Sequence, residues 1–421
     1  MKRKIAIIGT GFVGLQLVAV FVKTGAGVIA FDTDVELITK LSQEKEGGDC
    51  TKHDFTNENI QFTSNPSQLA EATIFFAAVP TPLNPYFVPD LSTLKNASKI
   101  IGKVLKKKDL VIFVSTVFPG ATEELLIPIM EEECGLQSGR DFFVGYSSDR
   151  SVVGDSKHDI DQEVNVVAGE NEEVLTKIKK LYEKAGLKTY CAPSIKIAEA
   201  SKLIESIQRD LNIALMNEYA QIMEKMNIPI HEVLKAARTK WNFLPFRPGL
   251  VGGLGIPVDP YFLIYRANGF GINPNLISIS RQINEQFIHF IANSLLRLFN
   301  QQKLSAHESK VVICGISYKA NVSETRHSLS IKLYKLLEQY GLTLYAFDPC
   351  SKRQDLDLNW VNWGDCPNCE AMILVQPHDD FIKVGFNKLC NKLKKHTVFM
   401  DIPGIFNEQK NERNDIIYWS L

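Results

Sequence analysis

Three glycines near the start of the chain have the spacing of a phosphate cradle. Gly9-x-Gly11-x-x-Gly14 follows the apolar run Lys-Ile-Ala-Ile-Ile (4–8) and opens a helix-like stretch that ends near Lys23. Gly9 suits a tight turn, Gly11 lets a pyrophosphate approach the backbone, and Gly14 lets the helix pack closely on the strand. The unpaired N–H groups of a helix N-terminus favour an anion at that point. Asp32 ends the next apolar run, 27–32. Its carboxylate would bond a ribose hydroxyl and repel a 2′-phosphate, so NAD is expected in preference to NADP. A glycine triplet alone is weak evidence; strand, helix and acid in their places make this one specific.

A second stretch, "LVGGLGIPVDPYFL" (250–263), groups Gly252, Gly253 and Gly255 and then sets Pro257 and Pro260 around Asp259. It is too glycine-rich for a helix and too proline-rich for a central strand. It reads as a rigid loop that lies close to a ligand, yet Gly255 offers no reactive side chain.

These residues need elements to position them. Strand-like apolar runs recur at 73–79 and 110–115, separated by helical patterns with lysine-rich faces, as in a parallel α/β sheet. From 195 to 226 apolar residues fall at helical spacing without proline or glycine, which predicts one long helix. A polar linker is expected over 301–309. A second α/β unit follows, with strands at 310–315, 342–348, 371–375 and 397–401 and a helix over 328–340. The expected fold class is α/β: two Rossmann-like, doubly wound parallel-sheet domains joined by a central helical region. Ligands of such sheets sit at the carboxyl ends of the strands.

A chain of 421 residues exceeds one ordinary core and implies two or three domains. A net charge of −1 gives no reason to expect nucleic acid or an anionic membrane as partner. Residues 5–22 carry no charge and follow Met-Lys-Arg-Lys, which mimics a signal peptide or a membrane span. The glycine spacing explains the run better, so a cytoplasmic protein without a membrane segment is expected. The eight cysteines (50, 134, 191, 314, 350, 366, 369 and 390) are expected as free thiols. Cys366 and Cys369 form a CxxC with no second pair and no nearby histidines, so loop cysteines are expected there and no metal.

Several stretches, in order, resemble one family: "GTGFVGL", "VPTPLNPYFVPDLS" (79–92), "STVFPGATEE" (115–124), "AEASKLIESIQRDLNIALMNE" (198–218), "NFLPFRPGLVGG" (242–253), "GISYKANVSETR" (315–326) and "FDP" (347–349). Together they are similar to the UDP-glucose/GDP-mannose dehydrogenases, nearest the branch acting on UDP-N-acetylhexosamines. The resemblance implies an NAD-binding Rossmann domain over 1–195, a central helical dimerisation and substrate region over 196–300, and a UDP-sugar-binding domain over 305–421. It implies a homodimer through the central helices. The implied reaction takes the sugar C6 alcohol to a carboxylate with two NAD+. A loop cysteine adds to the intermediate aldehyde, the thiohemiacetal gives up a second hydride, and water hydrolyses the thioester.

The resemblance also assigns residues. Gly9, Gly11, Phe12, Val13, Gly14, Asp32, Pro80, Thr81, Thr116 and Arg326 match cofactor-binding positions. Arg150, Lys202, Arg209, Phe246, Arg247, Gly252, Tyr318 and Lys319 match substrate-binding positions. Lys202, Asp259 and Thr116 match the groups that hold the catalytic water and polarise the C6 oxygen.

The sequence departs from the family where the chemistry is densest. Gly255 stands where the nucleophilic cysteine is usual, and Leu254 where a histidine precedes it. Asp149, in Ser148-Asp149-Arg150-Ser151-Val152-Val153-Gly154-Asp155, replaces the glutamate that serves deacylation and is one methylene shorter. Ser206 replaces an asparagine that would stabilise an oxyanion, and Val114 replaces a glutamate before Ser115-Thr116. A trapped mutant would carry one such change, not several together. Two readings from different classes remain. One is a nucleotide-sugar dehydrogenase limited in its second oxidation; the other is a pseudoenzyme that binds NAD and a UDP-sugar beside an active paralogue.

Overall fold

The computed structural model describes residues 4–44, 55–152, 158, 160–307, 309–351 and 357–421. Cys50, Val153, Gly154, Asp155 and the linker residue Glu308 lie outside them. The chain divides into two compact units, residues 1–205 with 261–273, and residues 206–260 with 274–421. The first division falls inside the long helix Ile195–Lys225, which matches the predicted span to within a residue.

The first unit is built on eight strands: β1 Lys4–Ile8, β2 Gly27–Phe31, β3 Ile60–Thr63, β4 Ala72–Ala77, β5 Leu110–Phe113, β6 Phe143–Ser148, β7 Val164–Gly169 and β8 Lys188–Cys191. They lie in the order β3-β2-β1-β4-β5-β6-β7-β8. The winding reverses between β1 and β4, where a doubly wound sheet opens its ligand crevice. Strands β1 and β4 are almost wholly apolar because helices cover both faces. One correction concerns direction: β6 and β7 pair antiparallel, with Tyr146 opposite Ala168. An apolar run shows that a strand is buried but not which way it runs.

The uncharged run 5–22 resolves into β1, the glycine turn and a first helix, Phe12–Val22, buried from Gly14 onward. Among the described residues no helix is long and apolar enough to cross a membrane.

The second unit carries β9 Lys310–Cys314, β10 Thr343–Phe347, β11 Cys369–Leu374, β12 Leu393–Asp401 and β13 Ile417–Ser420, all parallel, in the order β10-β9-β11-β12-β13. Its opening repeats the chemistry of the first sheet. Gly9 N–H donates to the Phe31 carbonyl and Gly315 N–H to the Phe347 carbonyl, each at 2.9 Å. Asp32 and Asp348 then follow their strands and accept backbone N–H groups from the loops after β1 and β9. The CxxC reading needs a second correction. Cys369 begins β11, and both it and Cys366 are buried in an aromatic-rich core with Phe347, Phe381 and Phe399. They are free thiols, and burial pushes both upward in pKa.

Candidate functional site

The glycine cradle in the first unit is sterically closed except where a ligand would enter. Gly9 has φ +96°, and a Cβ there would fall 2.5 Å from the Ala78 carbonyl oxygen. A Cβ on Gly14 would fall 1.8 Å from the Gly9 oxygen, so helix and turn touch through glycine alone. A Cβ on Gly11 would meet nothing within 4 Å. That is the open side, and no side chain caps the helix at Gly11. The first N–H groups of the helix, at Phe12 and Val13, are thus presented to an anion.

Asp32 is half-buried and aimed at the cradle. Its Oδ2 accepts from Thr10 N–H at 2.8 Å and from Thr10 Oγ1 at 3.1 Å, and its Oδ1 accepts from Asp34 N–H. Thr81 Oγ1 donates to the Thr116 carbonyl at 2.8 Å, and Ser115 Oγ to the Val79 carbonyl at 2.6 Å, which ties the two loops that follow β4 and β5. Pro80 lies exposed in the first of these loops. The donor set, open glycine and carboxylate fit a dinucleotide pyrophosphate and its ribose.

The same unit holds Lys202, Asp149 and Arg150. Lys202 Nζ donates to the Asp149 carbonyl oxygen. The Asp149 carboxylate turns back on its own loop, where Oδ1 accepts from Ser151 Oγ at 2.6 Å and Ser151 N–H at 3.2 Å. Arg150 is committed as well: it pairs with Glu205 and donates to the Val164 carbonyl at 2.9 Å. Val114 is buried in the apolar core of the unit.

Two partners in this arrangement lie in a family stretch but have no role that the sequence assigns. Glu199, fully buried on the long helix, accepts from Gly120 N–H at 2.6 Å and Thr122 N–H at 3.0 Å. It anchors the loop that carries Thr116, and burial holds its carboxyl above the usual range. Glu205, the partner of Arg150, is the other. Their signal was there in "AEASKLIES", at helical spacing from Lys202, but nothing in the spacing names a partner.

The second unit brings together Ser206, Asp259, Gly255 and Arg209. Ser206 Oγ donates to Asp259 Oδ2 at 2.6 Å, and both residues are 2% exposed. Asp259 is therefore a buried carboxylate. Arg209 Nη2 donates to Ser206 Oγ at 3.3 Å. A Cβ built on Gly255 would lie 3.5 Å from Asp259 Oδ2 and 3.6 Å from Ser206 Oγ, ordinary contact distances. Position 255 thus faces the serine–aspartate pair with room for a side chain it lacks. Leu254 is exposed.

The glycines before it have a different task. A Cβ on Gly252 would fall 2.8 Å from Tyr318 Cβ, and one on Gly253 2.7 Å from the Tyr318 ring. The loop packs on Tyr318 through its backbone. Asn217 grips the same loop from the long helix: it accepts from Gly249 N–H at 2.8 Å and donates to the Gly249 carbonyl at 3.1 Å. Phe246 is half-buried and Arg247 exposed in this loop, and Lys319 is half-buried after β9. Arg326 bonds Glu324 through Nε at 2.9 Å.

A further cluster, Asp348, Cys350 and His378, brings one ligand atom from each within 4.8 Å of the others. Hydrogen bonds already use the Asp348 and His378 atoms. Asp348 accepts from the N–H groups of Ile316, Ser317, Cys350 and Ser351. His378 Nδ1 accepts from Asn321 N–H, so Nε2 carries the ring proton, facing Asp348 Oδ2 at 3.2 Å. The triad reads as a brace for the loop after β9.

Comparison with known proteins agrees with this geometry. The NAD binding domain of the UDP-glucose/GDP-mannose dehydrogenase family matches residues 3–186, its central domain 196–286 and its UDP binding domain 312–408. The chain belongs to that family. The match to its NAD binding domain makes NAD the cofactor of residues 3–186. Among curated relatives, Protein CapL of Staphylococcus aureus is 38% identical over 97% of this chain and 98% of its own. The UDP-N-acetyl-D-glucosamine 6-dehydrogenase of Pseudomonas aeruginosa is 37% identical over 97% of this chain and 98% of its own. Among solved structures, the UDP-D-ManNAc dehydrogenase of Pyrococcus horikoshii superposes with a TM-score of 0.85 at 26% identity, covering 99% of this chain and 98% of that one.

Proposed function

We propose that this protein oxidises the C6 alcohol of a UDP-N-acetylhexosamine, and that its second oxidation is impaired because no thiol stands at position 255. NAD, when bound, supplies the hydride acceptor. Lys202, Asp259 and Thr116 are the groups we assign to orienting the C6 oxygen and holding its proton. The relatives named for UDP-N-acetyl-D-glucosamine and UDP-D-ManNAc support the substrate class. The observation that carries the reading is the open position at Gly255 beside Ser206 and Asp259. It has the surroundings of a side chain that would act on the substrate, and no side chain.

Without a thiolate the aldehyde cannot be held as a thiohemiacetal, and acid forms only by slower routes. Loss of a covalent nucleophile costs on the order of 10⁶ in kcat in a well-studied hydrolase. Gly255→Cys tests this directly, since a Cβ fits there without a clash. Uronic acid production is expected to rise weakly in Gly255→Cys. It is expected to rise more than additively when Asp149→Glu and Ser206→Asn are added, as for residues that act as one unit. A triple variant that binds UDP-sugar and makes no acid contradicts the proposal.

A second reading, a pseudoenzyme that binds NAD and UDP-sugar, is favoured by the carboxylate of Asp149 and the guanidinium of Arg150 being spent on their own surroundings. Binding of both ligands with no NADH from any UDP-sugar would establish it.

A further inference from the structure

One exposed turn of the first unit holds a backbone conformation that its side chain disfavours. Phe87 has φ +59°, in the left-handed region that a bulky residue rarely adopts. The turn belongs to the loop after β4, a few residues beyond Pro80 and Thr81. Its neighbours leave it little choice of shape. Asn84 Oδ1 accepts from Tyr86 N–H at 2.9 Å and from Val88 N–H at 3.0 Å. The Asn84 carbonyl accepts from Phe87 N–H, and Asn84 N–H donates to the Val88 carbonyl, each at 2.9 Å. Such strain persists where the surroundings over-determine it, and it collects at working positions.

The strained turn delivers a ring. Phe87 stacks on Tyr261, with centroids 5.0 Å apart and planes 21° from parallel. Phe87 is 49% exposed and Tyr86 83%, so the turn is no part of a core. Tyr261 lies in the first turn of the helix Asp259–Gly269, two residues after Asp259. The next turn of that helix is tied to the loop after β5, which carries Thr116. Tyr265 packs on Phe118 with centroids 5.4 Å apart, and Arg266 Nη2 donates to both carboxylate oxygens of Glu124, at 2.6 and 2.7 Å. Tyr261 and Tyr265 are four residues apart and share a helix face. The loops after β4 and β5 thus hold one helix, each through an aromatic contact.

We propose that Phe87 is a positioning residue: its ring fixes the first turn of this helix and, through it, the direction of the Asp259 carboxylate. The role rests on Asp259 acting at C6, as assigned above. Phe87 acts through Tyr261 and not on the substrate. Its left-handed backbone aims the ring, and an ordinary conformation at 87 would carry the side chain away from Tyr261. Misplacement of a catalytic group by about 1 Å costs on the order of 10²-fold in rate. A small shift in the start of the helix is therefore readable in kcat.

The test uses Phe87→Asn, because asparagine tolerates the left-handed turn and has no ring, with Phe87→Tyr as the conservative variant. Amide hydrogen exchange of the full chain is followed in peptides from 259–269 and, as a reference, from the helix Ile195–Lys225. In Phe87→Asn the 259–269 amides are expected to exchange about tenfold faster, the worth of one aromatic pair. The reference should not change, and the melting temperature should stay within about 2 °C, because relief of the strained φ offsets the lost stack. NADH release from the UDP-sugar is expected to fall at least about tenfold in kcat with KM for NAD unchanged. Phe87→Tyr should restore both readouts. Unchanged exchange over 259–269 in Phe87→Asn would overturn the proposal whether or not the protein turns over. So would faster exchange with an unchanged NADH rate, since the ring would then be structural alone. A wild type that releases no NADH from any UDP-sugar contradicts the C6 reading instead, and the exchange result then decides whether Phe87 holds the helix.

Discussion

We propose that the carboxylate after the second strand, Asp32, decides between two cofactors. Asp32 already accepts two hydrogen bonds from Thr10, so its position is fixed before NAD arrives. Asp32→Ala is expected to weaken NAD binding and narrow the gap to NADP; calorimetry that finds equal affinity for both cofactors in wild type would contradict this. Asp348 has the same place in the second sheet but a structural task. Burial alone would raise its carboxyl pKa, yet the His378 hydrogen bond and the backbone N–H groups prevail and hold it below the usual range. A depressed carboxylate adds stability above its unfolded pKa, near 3.9, and loses it as pH falls through the lower folded value. Stability to urea should therefore weaken below about pH 4, and Asp348→Asn should remove that part of the pH dependence. It should also cost about 2–4 kcal/mol at neutral pH, because four N–H donors lose charged acceptor strength. An unchanged acid limb in Asp348→Asn contradicts the assignment. At this scale the sequence was legible where spacing carries the meaning, as at Gly9, Gly11 and Gly14. It was silent on Asp149, whose short side chain folds back to Ser151, because no spacing records where a carboxylate turns.

Strands and helices differ in how much of themselves they display. The helix Ile195–Lys225 was readable because a break-free helical period over 31 residues has few other solutions. The strands β3, β8 and β13 have four residues each and mixed burial, too short for a period to emerge. The long helix also leaves Ile204, Leu215, Tyr219 and Ile222 exposed at spacings that put them on one face. We propose this face as the homodimer contact of the central region. Ile204→Glu with Ile222→Glu is expected to yield monomer by light scattering at micromolar concentration with the helical content kept. A wild-type protein that is already monomeric there would end the proposal.

Across the whole molecule, two doubly wound sheets each place a glycine turn and an aspartate at the carboxyl ends of their strands, and a long helix runs from one compact unit into the other. We propose the division of labour that the three family domains suggest, with NAD in the first unit and the UDP-sugar in the second. Fold and family were legible because glycine and proline motifs fix backbone shape; the committed state of Arg150 was not, because its partner Glu205 is distant in sequence. The proposed chemistry turns on the glycine at position 255. Its most direct test is the yield of NADH per sugar consumed by the wild-type protein with UDP-N-acetylglucosamine and UDP-N-acetylmannosamine, with mass spectrometry of the product. We expect the ratio to stay near the single hydride of an aldehyde, with uronic acid slow and minor. Rapid conversion to the uronic acid with two NADH per sugar would show that another group serves as nucleophile and that position 255 is not where the chemistry turns.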